Sequence, residues 1–154
     1  MNYFEVEKTC CFTGHRILKK DFTIEQTRQE ILRLLNKKYK TFLVGMAKGY
    51  DIECLKVLIE LKNEFNLEII ACIPCKNQPE KLTKTEKEEY NYLLNYVDQK
   101  IYLEENYVLG CMHKRNRFMV DNSSTVIVYK YVDKGGTYYT ETYAKKKNKQ
   151  IIYV

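Results

Sequence analysis

The chain has 154 residues, 45% hydrophobic, 30% charged and 13% aromatic, and its 26 Lys and Arg against 20 Asp and Glu leave a net charge of +6. That length suits one compact domain over residues 1–154, and with 2 Pro, 6 Gly and no Ser- or Gln-rich tract the disordered and fibrous classes are excluded. No apolar run approaches the ~20 residues of a membrane span, and residues 1–8 carry acidic side chains rather than the apolar stretch of a leader. The expectation is a cytoplasmic chain with no membrane contact, whose positive balance favours anionic partners such as nucleotides, nucleic acid or acidic proteins.

Short apolar runs alternate with segments of helical period. Residues 9–13 read as a first strand. A helix follows with Thr23 as N-cap and Gln26 three residues on, a capping-box spacing, and an apolar stripe of Ile24, Ile31, Leu34 and Leu35. Residues 41–44 form a second strand ending at Gly45, and the next helix carries Ile52, Leu55, Leu58 and Ile59 on one face. A third strand over 68–73 is closed by Pro74, which cannot continue a ladder. After a loop over 78–85, Thr83 and Glu86 give a second capping box, and Tyr90, Leu93, Leu94 and Val97 fall at i, i+3, i+4 and i+7. A short strand over 100–103, a helix over 112–121 and a strongly apolar strand over 125–129 come next. Gly135-Gly136-Thr137 opens a last helix, whose terminal lysines 145–147 and 149 complement its C-terminal partial charge, before a closing strand over 150–154.

Strands alternating with helices of this length imply right-handed βαβ units. Their continuous apolar character implies burial on both faces. The predicted fold is a single Rossmann-like α/β domain, three layers α/β/α around a mostly parallel sheet of about six strands.

In such sheets ligands bind at the carboxyl ends of the strands, where strand order reverses. Strand one is followed by Thr13-Gly14-His15-Arg16, and strand two by Gly45-Met46-Ala47-Lys48-Gly49-Tyr50-Asp51. Strand five is preceded by Lys114-Arg115-Asn116 and followed by Lys134-Gly135-Gly136-Thr137. Glycines there let the backbone approach a ligand, and helix N-termini after Gly49 and Gly136 offer N–H groups suited to phosphate. Thr13 and Thr137 add hydroxyls, Arg16 and Arg115 can fork onto anionic oxygens, and Asp51 suits ribose hydroxyls. Each residue also has a plain role: turn glycines, a hydrogen-bonded structural His15, a helix cap at Asp51, surface charge at Arg115 and Arg117. There is no G-x-G-x-x-G after strand one, no P-loop and no G-x-S-x-G elbow.

Six cysteines are an even number, but without an export signal they are expected to be free thiols. Cys72-Ile-Pro-Cys75 with Cys111 and His113 has zinc-type ligands, yet Cys72 lies within an apolar strand, where it packs as a small hydrophobe. No metal and no cofactor are expected.

Taken in order, residues 11–16 (Cys-Phe-Thr-Gly-His-Arg), 45–51, 73–78, 115–121 (Arg-Asn-Arg-Phe-Met-Val-Asp) and 135–137 resemble the SLOG superfamily, and within it the YpsA-like branch. The resemblance spans nearly the whole chain. It implies a Rossmann-like fold that binds a nucleotide or nucleotide derivative at its glycine turns, and a homodimer formed through helices. SLOG relatives include the LOG phosphoribohydrolases, which cleave the N-glycosidic bond of a nucleoside monophosphate. Others are sensors of nucleotide signals, and one is a DNA-processing protein that holds single strands. The LOG Arg-Lys-x-x-Met segment is matched by Arg115-Asn116-Arg117-Phe118-Met119, which implies a catalytic role for Arg115. The LOG Pro-Gly-Gly-x-Gly-Thr-x-x-Glu segment is matched poorly by residues 134–141, where Glu141 falls four rather than three after Thr137. One helical position turns a side chain by about 100°, which puts the carboxylate of Glu141 out of phase.

Three functions follow, in this order. The first is a domain that binds or senses a nucleotide-derived small molecule through Thr13, Gly14, His15, Arg16, Gly45, Gly49, Asp51, Arg115, Asn116 and residues 135–137. The second is an N-glycosidic hydrolase in which Arg115 holds the phosphate and Glu141 activates water or stabilises the oxocarbenium-like state. The third is single-stranded nucleic-acid binding, supported by the charge and by 14 Tyr.

Overall fold

The computed structural model describes residues 4–154; residues 1–3, which open the stretch expected to carry no leader, lie outside the described residues. Six strands, β1 (Thr9–Gly14), β2 (Thr41–Val44), β3 (Glu68–Ile73), β4 (Gln99–Tyr102), β5 (Thr125–Tyr129) and β6 (Gln150–Tyr153), form one sheet in the order β4-β3-β2-β1-β5-β6. Every pairing is parallel. The connecting helices are α1 (Glu25–Asn36), α2 (Tyr50–Leu61), α3 (Lys84–Leu94), α4 (Cys111–Asp121) and α5 (Gly135–Lys146). Short 3-10 turns at Val6–Lys8 and Gln78–Lys81 add detail that periodicity does not reveal. None of the helices among the described residues is long and apolar enough to cross a membrane.

The strands are apolar on both faces because both are covered. Cys10, Phe12, Phe42, Val44 and Ile127 join one core with residues of α1, α2 and α3. Their neighbours Cys11, Leu43, Val126 and Val128 join a second core with Met119 and Val120 of α4 and Ala144 of α5. This alternation follows from the two-residue period of a strand. The chain therefore steps outward from β1 to β4 over one face, and α4 returns it over the other to β5, beside β1. The segments leaving β1 and β5 diverge to opposite faces, which opens a crevice at their carboxyl ends.

Close packing sets the height of the β1 turn. A Cβ at Gly14 would lie 2.3 Å from the Tyr50 ring, and one at Gly49 (φ +88) would lie 2.3 Å from the Arg16 carbonyl oxygen. The turn is thereby pressed onto the start of α2, where the Tyr50 N–H donates to the His15 carbonyl at 3.2 Å.

One local expectation is corrected. The Thr83 box forms, with Thr83 Oγ1 accepting from the Glu86 N–H at 3.2 Å and Glu86 accepting from the Thr83 N–H at 2.9 Å. The Thr23 box does not: α1 begins one turn position later, with Ile24 as N-cap and no side-chain cap. Ile24 packs against the first core, so burial of the side chain sets the helix start in place of the cap.

Gly49→Ala is expected to cost about 1–3 kcal/mol of backbone strain, with the clash against Arg16 in addition. Gly135→Ala, at φ +83 with nothing within 4 Å of its Cβ, carries only the positive-φ cost of about 1–2 kcal/mol. Urea unfolding of the two variants checks the ranking.

Candidate functional site

A cleft of about 660 Å³ occupies the crevice at the ends of β1 and β5. The β1 turn supplies Thr13, Gly14, His15, Arg16 and Ile17, and α5 supplies Gly135, Gly136 and Thr137. The first turns of α4 contribute Met112, His113, Arg115 and Asn116, while Ala47 and Asp51 come from the start of α2 and its approach. Tyr131, Val132 and Lys134 of the β5–α5 loop close the far wall.

Arg115 lies at the centre of this arrangement and is only 4% exposed. Its Nε donates to Asn116 Oδ1 at 2.8 Å, its Nη1 to the Gly45 carbonyl, and its Nη2 approaches the Met112 sulfur at 3.9 Å. No carboxylate of the described residues comes within 4.0 Å of the guanidinium. Asp51 sits across Gly45 from it: a Cβ at position 45 would lie 2.8 Å from Asp51 Oδ2 and 2.9 Å from Arg115 Nη1. Gly45 thus admits both groups while lying beneath the cleft rather than in its wall. Burial lowers the pKa of Arg115, opposed by the charge of Asp51. Burial pushes the Asp51 carboxyl up to about 6, against the pull of Arg115, the Ala47 N–H and Arg16. Asp51 Oδ2 accepts from the Ala47 N–H at 3.3 Å, which ties the β2–α2 loop to its helix. That loop contains Met46, buried and at φ +62, a left-handed conformation that a non-glycine residue holds only under constraint.

His15 bridges the two sides of the crevice. Its Nε2 accepts the Tyr131 N–H at 3.1 Å and its ring lies 4.2 Å from that of Tyr131. Burial, and then the charge of Lys130, hold the imidazole below its ordinary pKa, so the neutral form accepts the hydrogen bond. The helix starts nearby are open: α2, α4 and α5 begin at Gly49, Gly110 and Lys134 with no side-chain cap. The first N–H of α2 is taken by the His15 carbonyl and that of α4 by the Val108 carbonyl at 3.1 Å, which leaves the start of α5 with its first N–H groups free for an anion.

Of the residues singled out from sequence, Thr13, Gly14, His15, Arg16, Asp51, Arg115, Asn116, Gly135, Gly136 and Thr137 share the cleft. Gly45 and Gly49 stand behind it as packing positions. Glu141 lies elsewhere: its Oε1 pairs with Lys130 Nζ at 2.7 Å, and its Oε2 accepts from the Tyr153 hydroxyl and lies 3.6 Å from Lys145. Burial raises its pKa, but the Lys130 and Tyr153 hydrogen bonds outweigh this and hold it below the usual range. The free thiols are all buried, and no group of three metal ligands occurs among the described residues. Cys75 abuts Cys111, whereas Cys72 packs in the second core and His113 stacks on Tyr139 at 3.9 Å. Tyr131 and Val132 were not singled out, although their place directly after β5 is a signal of the same kind as Thr13 after β1. Ile17, next after the β1 turn, carries the same signal, whereas Met112 carries none, because only tertiary placement brings it to the wall.

The sequence model of the YspA SLOG family matches residues 12–154. The chain is similar to an uncharacterized SPbeta prophage-derived protein, YoqJ, of Bacillus subtilis, with 30% identity over 130 residues that cover 75% of this chain and 76% of that one. Among solved structures it is similar to DNA processing protein A of Streptococcus pneumoniae, with a TM-score of 0.65 and 17% identity over 94% of this chain and 49% of that one. It is also similar to DNA processing protein A of Helicobacter pylori, whose structure is described for its single-stranded DNA binding mode. There the TM-score is 0.68 and the identity 18%, over 94% of this chain and 64% of that one. The chain therefore spans about half to two thirds of these structural neighbours, and at such identity the likeness is one of fold.

Protonation of Asp51 removes the negative charge closest in the wall to Arg115. Sulfate, which keeps its charge across this range, is expected to bind more tightly as the pH falls through about 6. Asp51→Asn removes that step and leaves only the acid-side rise from His15. Sulfate titrations monitored by amide NMR shifts between pH 5 and pH 8 check this; an unchanged step in the variant contradicts it.

Proposed function

The chain belongs to the YspA SLOG family, and we propose that its cleft binds the phosphate of a nucleotide or nucleotide derivative, in a binding or sensing role. The observation that carries this reading is the buried Arg115, which has hydrogen-bond partners but no carboxylate at ion-pair distance. A buried charge whose nearest carboxylate, Asp51, stands beyond ion-pair distance is costly, and a ligand phosphate supplies a closer anion. The open N-terminus of α5 at the same wall adds N–H donors, and Thr13 and Thr137 add hydroxyls. Asp51, the only carboxylate lining the cleft among the described residues, is placed to accept from a ribose hydroxyl. Binding is favoured over LOG-type hydrolysis because Glu141 is tied to Lys130 and Tyr153 outside the cleft wall.

A second reading has its own observation. Four exposed tyrosines at this end of the sheet each carry a lysine ammonium over the ring: Tyr107 with Lys81 at 4.6 Å, Tyr138 with Lys130 at 5.2 Å, Tyr131 with Lys19 at 5.4 Å and Tyr102 with Lys76 at 5.7 Å. Paired rings and cations suit the bases and phosphates of a single strand, as does the DNA binding described for the Helicobacter pylori neighbour.

Adenosine monophosphate, ADP-ribose, NAD and cyclic nucleotides, each near saturation, form the panel for a thermal-shift assay. At least one is expected to raise the melting midpoint by about 5 °C. Arg115→Ala abolishes the shift and Glu141→Gln retains it, while a flat response from every compound overturns the reading. For the strand reading, an oligonucleotide's affinity is expected to fall steeply between ~50 and ~200 mM salt; salt-independent affinity sinks it.

A further inference from the structure

A second recess of about 280 Å³ lies beside the cleft, and Tyr131 lines both. Tyr131 is a fixed partition rather than a loose rim. Its N–H is held by His15 Nε2 at 3.1 Å and its hydroxyl donates to the Ile17 carbonyl at 2.7 Å. Phe22 and Tyr129 provide an aromatic wall, with ring centroids 4.9 Å apart, and Tyr129 lies 5.8 Å from Tyr131. The polar lining includes Thr23 and Gln26, the pair expected to cap α1. Because the helix starts beyond Thr23, neither side chain makes a hydrogen bond to the described residues, and both stand free at the recess. Lys19 has no carboxylate at ion-pair distance and holds its ammonium 5.4 Å above the Tyr131 ring, over the partition. Asp21 at the border adds an acceptor.

These features describe a place for one planar, hydrogen-bonding ring. The recess is smaller than the ~300–1,000 Å³ of a pocket that takes a whole ligand. Aromatic walls offer stacking, the Thr23 hydroxyl and Gln26 amide offer donors and acceptors to a base edge, and Lys19 offers a cation where a linking phosphate crosses Tyr131. We propose that cleft and recess form one two-part site for a ligand of the dinucleotide class, with a terminal phosphate at Arg115 and the second base beyond Tyr131. The inference rests on the phosphate-binding reading of the cleft and extends it to ligand length.

Calorimetric titration with adenosine monophosphate, the 5′-phosphorylated dinucleotide pApA and the decamer of adenylate tests it. The dinucleotide is expected to bind about tenfold more tightly than the mononucleotide, within the range that one stacked base contributes, and the decamer no more tightly per site than the dinucleotide. Thr23 is exposed, so Thr23→Trp fills the recess without disturbing the core. It is expected to lower dinucleotide affinity to the mononucleotide level and leave the latter unchanged. Equal affinity for the two wild-type probes, or a dinucleotide advantage that survives Thr23→Trp, overturns the two-part site while leaving an Arg115-dependent mononucleotide site intact. A further large gain for the decamer overturns it in favour of a polymer track. Failure of all three probes to bind overturns the two-part site, and the phosphate-binding reading falls with it only where the thermal-shift panel is flat as well.

Discussion

The burial of one guanidinium organises the functional end of this molecule. Arg115 enters from α4 beneath the carboxyl end of the sheet, where little water reaches it. Its charge must then be met by fixed dipoles. The Gly45 carbonyl and the Asn116 amide do so, and each imposes a condition. Residue 45 must lack a Cβ, because Arg115 and Asp51 both press on the position where that atom would be. The chain after it must turn sharply, and Met46 takes the left-handed conformation. Asp51 must share the site, with burial raising its pKa to about 6 against the cation's pull. Since its folded-state pKa lies above the ordinary carboxylate value, this group favours folding in its protonated form, and that contribution is lost as pH rises through about 6. The arrangement is therefore held at some expense of stability near neutral pH.

Sheet topology supplies the space around this group. Because α1 to α3 cover one face and α4 and α5 the other, the exits of β1 and β5 part company and leave the cleft between them. The two exits are then pinned together by Tyr131, whose N–H is held by His15 and whose hydroxyl donates to the Ile17 carbonyl. Behind them, Glu141 joins Lys130 just after β5 to Tyr153 at the end of β6, so the outer strand and α5 are tied to the loop that forms the cleft's far wall. A carboxylate that the LOG resemblance puts near the chemistry thus has a mechanical role. Its displacement follows from spacing: one extra residue after Thr137 rotates it by about 100°, toward Lys130 and away from Arg115.

Much of this was legible in the chain. The strand and helix pattern, the parallel sheet and the three layers follow from apolar runs and helical periods, since strands buried on both faces cannot alternate in polarity. Ten of the residues singled out line the cleft because the rule that loops after parallel strands meet at one end needs only chain order. What composition and spacing could not distinguish were pairs of equal local merit. Thr23 with Gln26 and Thr83 with Glu86 have the same capping-box spacing, yet only the second forms, because Ile24 is drawn into the core and shifts the start of α1. Arg115 and Arg117 sit two residues apart on α4, and only the helix's rotation against the sheet buries the first and leaves the second donating to Tyr139 at 2.8 Å.

The sequence by itself determined the architecture and the end of the sheet at which the cleft opens, because periodicity and chain order are local properties written along the chain. Tertiary structure alone decided which charges are buried unpaired and which glycines stand as packing contacts. It also decided that Glu141 faces Lys130 and that Thr23 and Gln26 open onto a recess instead of capping a helix. Those outcomes depend on the rotation of helices about their axes and on contacts between residues more than 60 positions apart, as between Arg115 and Gly45 with |i−j| of 70, which no local pattern encodes.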